Sequence, residues 1–144
     1  MVKSRLASTV AAIVSTLPAY ESNLCTISLD NNPRKTFDTK MTMAIVANGK
    51  FLGGGFVAAP DADMSDGLLD VVILKDSGSL KMLDELINLK SGDHFDDDNI
   101  MYAQASTVSI ESKERDVTVT LDSEPIGVLP ADFYIFHNAL NVIT

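Results

Sequence analysis

A chain of 144 residues suits one domain that buries about two thirds of its unfolded surface, and 46 % apolar residues supply a core for it. A formal net charge of −9 argues against nucleic acid or an anionic membrane surface as the main partner, because both select positive charge. One cysteine and two histidines exclude an intrachain disulfide and argue against a structural zinc site.

Residues 3–17 read as an amphipathic helix. Leu6, Val10, Ile13, Val14 and Leu17 recur at spacings of 3 and 4, and Pro18 stops the run. Ser8, Thr9, Ser15 and Thr16 interrupt its apolar part, which argues against a cleaved signal peptide. No apolar run approaches the roughly 20 residues that span a bilayer.

From Tyr20 onward the pattern is that of strands. Leu24–Leu29 alternates with Cys25, Ile27 and Leu29 on one face, so the Cys25 thiol is expected to be buried and inert. Asp30-Asn31-Asn32-Pro33 is a turn. Strands are expected at Lys40–Asn48 and, briefly, Gly55–Ala59, with a central one, apolar on both faces, at Leu68–Leu74. A second helix is expected over Ser77–Leu89, with Ser79 as N-cap and Gly92 as C-terminal cap. Asp93 to Asp98 reads as a solvated acidic loop containing an exposed His94. Further strands are expected at Ala105–Glu111, Val117–Leu121, Phe133–Phe136 and Leu140–Ile143, with His137 in a structural role. Many short strands and two helices make this a mainly β chain of the β-sandwich class.

The stretch from Asn48 to Asp70 holds five of the eight glycines and four of the acidic side chains. Aspartates in a glycine-containing loop are a usual way to hold a hard cation through oxygen ligands, and Asp61, Asp63 and Asp66 are the candidates here. An EF-hand loop is excluded: the glycine falls one place late, and the twelfth position from Asp61 is Val72 rather than Glu. The competing reading is a turn whose aspartates bond their own backbone. Asp122 and Glu124 lie in a turn at the end of a strand, where two carboxylates two residues apart serve either an ordinary hairpin or acid–base chemistry. The nucleotide-binding patterns Gly-x-x-x-x-Gly-Lys-Ser/Thr and Gly-x-Gly-x-x-Gly are absent, and Gly53-Gly54-Gly55 leads into a strand rather than a helix.

Three stretches in this order resemble one family: Val46 through Gly55, Ala59 through Val71, and Leu121-Asp122-Ser123-Glu124-Pro125. The chain resembles the C-terminal domain of the diacylglycerol kinase catalytic-domain family, the bacterial-type lipid kinases related to sphingosine kinases. The resemblance implies a β-sandwich of the NAD kinase and diacylglycerol kinase C-terminal type, with one N-terminal helix and one inserted helix. It divides the chain into a connecting helix at 1–20 and the sandwich at 21–144.

The family pairs this domain with a nucleotide-binding half carrying a Gly-Gly-Asp-Gly-Thr motif that this sequence does not contain, and the active site lies in the cleft between the halves. By resemblance, Asp63 and Asp66 donate carboxylate oxygens and Leu68 its backbone carbonyl to magnesium, and Glu124 is the catalytic base. Its Asp-Gly-Glu-Pro motif has Ser123 here in place of the glycine. The implied function is one domain of an ATP-dependent kinase that phosphorylates a lipid hydroxyl such as that of diacylglycerol. The isolated chain is then expected to be inactive. Its expected partners are a nucleotide-binding domain in the same or another chain and a lipid at the membrane surface, with a homodimer allowed for. The expected location is cytoplasmic, peripheral at the membrane. The alternative is a stand-alone, non-catalytic binding or regulatory β-domain derived from that fold. An NAD-kinase-like reading shares the sandwich but finds none of that family's glycine and aspartate motifs here.

Overall fold

The computed structural model describes residues 21–52, 56–78, 81, 85, 88, 98–122, 124–141 and 143. The helix expected over 3–17, the connecting segment 1–20, the three glycines 53–55 and His94 lie outside the described residues. The strands are β1 Asn23–Leu29, β2 Thr36–Ala47, β3 Phe51–Leu52, β4 Phe56–Val57, β5 Leu69–Lys75, β6 Ile100–Ala105, β7 Thr107–Ser112, β8 Thr118–Leu121, β9 Glu124–Val128 and β10 Ala131–Tyr134. Lys81, Glu85 and Asn88 are helical, in agreement with a second helix in that region.

Six strands form one antiparallel sheet in the order β10-β7-β1-β2-β5-β6, and β3-β4 and β8-β9 are separate hairpins. Two features fold the sheet over itself. The first is in β2, whose early residues pair with β1 and whose later residues pair with β5. The register shifts between Met41 and Met43. Before that bulge Phe37 and Met41 face the main core; after it Ala44 and Val46 do. An extra residue reverses the in–out phase of a strand and bends it, so one long strand serves two layers. The second is Ser106. β6 lies at one end of the sheet order and β7 near the other, yet this single residue separates them.

The main core lies between the two layers. Cys25, Ile27 and Leu29 of β1 and Val108 and Ile110 of β7 pack there with Leu69, Val71 and Ile73 of β5. A smaller cluster covers the outer face of the second layer, where Ala58 packs with Ile45, Val72, Leu74 and Ile100. β5 is therefore buried on both faces, as its mainly apolar sequence predicts, although it sits one place from the sheet edge. The outer face of the first layer is polar. Thr26 donates to Asp38 at 2.7 Å, and Lys113 donates to the same carboxylate at 2.6 Å.

Three expectations need correction. The single strand expected over Ala105–Glu111 is two strands broken at Ser106, because the chain changes layer there. Leu140, Asn141 and Ile143 are not in a strand; these residues are solvent-exposed, with no apolar face to bury. Glu124 does not lie in a turn: it opens β9, a strand that its proline and glycine disguise.

The turn after β1 ties the layers together. Asp30 and Asn31 are left-handed, with φ of 56° and 49°, a conformation that Asp and Asn tolerate better than most residues. The Asp30 carboxylate accepts from the Ser106 amide at 2.7 Å, the Ser106 hydroxyl at 3.0 Å and Lys35 at 2.9 Å. These contacts hold its pKa down at about 2, the Lys35 bond contributing most and desolvation opposing it.

Candidate functional site

The aspartate loop runs from Pro60 to Leu68, between the β3-β4 hairpin and β5. It begins as a backbone turn, with the Ala62 amide donating to the Ala59 carbonyl at 3.0 Å. The small side chains of Ala58, Ala59 and Ala62 bury this part of the segment. Two turns built on aspartate side chains follow. Asp63 Oδ1 accepts from the Ser65 amide at 2.9 Å and the Ser65 hydroxyl at 2.6 Å. Asp66 Oδ1 accepts from the Leu68 amide at 2.8 Å. The Ser65 bonds, hydroxyl then amide, hold the Asp63 carboxyl below the usual carboxylate range.

Both readings of this loop from sequence therefore remain compatible. The aspartates bond their own backbone, which consumes one oxygen of each carboxylate, and both side chains stay exposed with a second oxygen. Among the described residues, no group of three or more His, Cys, Asp and Glu side chains is close enough to hold a metal unaided.

Gly67 completes the loop at φ 76°, in the left-handed region. It is also held close by a neighbour distant in sequence. A β-carbon at Gly67 would lie 2.5 Å from Nδ1 of His137. His137, expected to be structural, thus lays its ring on the backbone of the aspartate loop. The ring follows β10, so the last described segment of the chain reaches this loop. Nothing in the local sequence around either residue signals the contact.

Asp70 is the residue that the motif reading passed over. It lies on β5, opposite Ala47 and Gln104, and is fully buried. Its Oδ1 accepts from the Gln104 amide nitrogen at 3.0 Å. Its Oδ2 is buried with no hydrogen-bond partner among the described residues. Burial pushes its carboxyl pKa up, the Gln104 bond opposes this, and the Asp66 and Asp61 charges push it further up. The sequence did carry a signal: an acidic residue inside an apolar run that must be a buried strand.

Glu124 stands at the first position of β9, paired with Leu121 across the hairpin turn, and is exposed. The described left-handed residue of that turn is Asp122, at φ 47°. Ser123, where the family motif has glycine, lies outside the described residues. Among the described residues no hydrogen bond or ion pair joins this hairpin to the aspartate loop. Glu124 thus sits on the β8-β9 hairpin, while the aspartate loop joins β4 to β5 of the main sheet.

The whole chain can be set against known proteins on this basis. Residues 2–144 match the family model for the YegS C-terminal NAD kinase beta sandwich-like domain. The chain belongs to this family. A diacylglycerol kinase of Bacillus subtilis is 28 % identical over 109 residues, which cover 76 % of this chain and 36 % of that protein. A diacylglycerol kinase of Mycobacterium tuberculosis is 31 % identical over 103 residues, covering 72 % of this chain and 33 % of that protein. The chain spans about a third of the length of these relatives. Among solved structures, a diacylglycerol kinase from Bacillus anthracis aligns with a TM-score of 0.64 at 24 % identity, over 88 % of this chain and 44 % of the other. That likeness is one of fold. As a YegS C-terminal NAD kinase beta sandwich-like domain, the chain has the β-sandwich that was expected.

The residue types present fit a hard divalent cation: Asp63 and Asp66 are exposed, and each keeps a second carboxylate oxygen beyond its turn bond. No helix among the described residues is long and apolar enough to cross a membrane.

Proposed function

We propose that this chain is the C-terminal domain of an ATP-dependent lipid kinase that phosphorylates a lipid hydroxyl such as that of diacylglycerol. The observation that carries the reading is the match of residues 2–144 to one C-terminal domain family, whose curated relatives here are diacylglycerol kinases. Glu124 is the catalytic base. Exposed at the start of β9, it can reach a substrate that approaches from outside the domain. Its carboxylate takes the proton of the lipid hydroxyl as the oxygen forms its bond to the γ-phosphorus of ATP. The bond from that phosphorus to the β–γ bridging oxygen breaks, and ADP leaves.

Asp63, Asp66 and the Leu68 carbonyl hold Mg2+, which when bound supplies positive charge to the phosphate-bearing cleft. The turns at Ser65 and Leu68 orient the two carboxylates before any ion arrives. ATP binds on a nucleotide-binding domain, because this sequence carries no phosphate-cradling glycine motif. The enzyme works in the cytoplasm, at the surface of the membrane that holds its lipid.

The test is phosphoryl transfer from γ-labelled ATP to diacylglycerol in mixed micelles. The chain alone is expected to give background counts. The chain joined to a family nucleotide-binding domain is expected to give Mg2+-dependent labelled lipid. Transfer by the chain alone would overturn the proposal, and no transfer by the joined protein while it still binds ATP would overturn it in favour of a non-catalytic binding domain.

A further inference from the structure

The β8-β9 hairpin forms a sheet of its own, and among the described residues its strands pack chiefly on each other. Every residue of the two strands except Val119 is exposed, although an isolated two-stranded hairpin is only marginally stable in water. The register sorts its side chains onto two faces. Leu121 pairs with Glu124 beside the turn, so these two share a face. Ile126 lies two places along β9 from Glu124, and Val119 two places along β8 from Leu121, which puts both on that same face. Ile126 is also the extra residue that shifts the register between the pairs Val119–Gly127 and Thr120–Pro125. The opposite face carries the pairs Thr118–Val128 and Thr120–Pro125. The Glu124 carboxylate makes no hydrogen bond or ion pair among the described residues. It stands beside two large apolar side chains, Leu121 and Ile126, which keep 61 % and 63 % of their surface exposed.

We propose that Leu121 and Ile126 are specificity-determining residues that seat the apolar part of the lipid beside the hydroxyl held by Glu124. The inference rests on the reading of Glu124 as the base and adds what its neighbours on the hairpin do. An ionised carboxylate is acceptor-only, so what meets Glu124 must bring a donor. What covers Leu121 and Ile126 must be apolar to gain from the contact. An alcohol on an apolar body supplies both in one molecule. The spacing suits this. Directly opposed side chains stand about 5 Å apart at Cβ, and residues two apart along a strand stand about 7 Å apart. A substrate whose hydroxyl lies at Glu124 therefore lays its first carbons against Leu121 and Ile126. Val128, exposed on the other face, has no such contact.

The experiment measures kcat/KM in the chain joined to its nucleotide-binding domain, for the parent and for Leu121→Ala, Ile126→Ala, Val128→Ala and Glu124→Gln. The substrates are dioctanoylglycerol and dibutyrylglycerol, both supplied as monomers below their aggregation concentration, so that no membrane or micelle surface takes part. Leu121→Ala and Ile126→Ala are each expected to lower kcat/KM for dioctanoylglycerol about 10-fold, the low end for a truncated apolar contact because the face is open. The fall for dibutyrylglycerol is expected to be smaller, so the parent's preference for the longer chain shrinks. Val128→Ala is expected to match the parent on both substrates. ATP affinity and unfolding midpoint are expected to stay at parent values in all three alanine variants, because the side chains removed are exposed.

Parent-like kcat/KM in Leu121→Ala and Ile126→Ala, while Glu124→Gln loses transfer, overturns this inference alone. So does an equal fall on both substrates, which would mark the face as a seat for the nucleotide-binding domain, or an equal fall in Val128→Ala, which would mark a loosened hairpin. No transfer by the joined parent, or a parent rate in Glu124→Gln, overturns the reading of Glu124 and this inference with it.

Discussion

Asp30 lets the physical account be tested independently of any reaction. Its carboxylate closes the corner where β6 gives way to β7, so its loss loosens the joint between the two layers. The low pKa of about 2, against an unfolded value of about 3.9, corresponds to about 2.5 kcal/mol if taken whole. The side chain keeps 30 % of its exposure and Lys35 keeps 49 %, so the ion-pair share is screened, and about 1–2 kcal/mol is a better figure. Asp30→Asn keeps a side chain that tolerates φ of 56° and an oxygen that accepts from Ser106, so it should cost about 1 kcal/mol at pH 7. Asp30→Ala loses the acceptor and the short polar side chain that makes left-handed backbone tolerable, and should cost about 2–3 kcal/mol.

The sign of the pH dependence follows from the depressed pKa. The carboxylate favours the folded state fully above the unfolded pKa, and this contribution is lost as pH falls from about 4 to about 2. Urea unfolding of the parent and Asp30→Asn at pH 7, 4 and 2.5 is the assay. The stability gap should narrow steadily toward acid. A gap that stays constant with pH would show that the carboxylate's charge does not hold the corner, and would refute the reasoning.

Three further outcomes follow from the site. Gly67→Ala should cost about 1–2 kcal/mol from left-handed strain and should displace His137. In a His137→Ala background only the strain remains, and a smaller cost there is the check, by urea unfolding of the double-mutant set. Cys25 is fully buried and desolvation raises its thiol pKa, so a thiol reagent at pH 8 should leave it unmodified in the folded protein and react fully in urea. In the joined kinase, Asp66→Asn should raise the Mg2+ concentration needed for half-maximal rate at least 10-fold, read from a metal titration.

Much of this domain was legible from residue pattern. The alternation of Cys25, Ile27 and Leu29 predicted a one-sided strand, and the mainly apolar run to Leu74 predicted one buried on both faces. What the pattern could not carry were the events that break period two. The bulge in β2 leaves apolar residues on both sides of the phase change, so the sequence reads as one continuous strand. The bend at Ser106 interrupts a run whose composition is uniformly strand-like. β9 hides because Pro125 and Gly127 read as turn residues, yet a short separate hairpin tolerates both.

At the site, the turn chemistry of Asp63 and Asp66 was readable locally, because each bonds an amide two residues on. The packing of His137 on Gly67 and the pairing of Gln104 with Asp70 join residues far apart in the chain. Such contacts are products of topology, and no local window contains them. Glu124 stands differently again. The role proposed for it comes from family resemblance alone; the structure shows it exposed at the first position of β9.

The most direct test of the central claim is the effect of Glu124→Gln on kcat in the chain joined to its nucleotide-binding domain. Gln preserves shape and hydrogen bonding but cannot accept the proton. The account predicts a fall of about 10²- to 10⁴-fold in phosphoryl transfer to diacylglycerol, with unfolding midpoint and ATP affinity unchanged. A variant that retains the parent rate would contradict it, and Glu124 would then be an ordinary strand residue of a domain whose chemistry lies elsewhere.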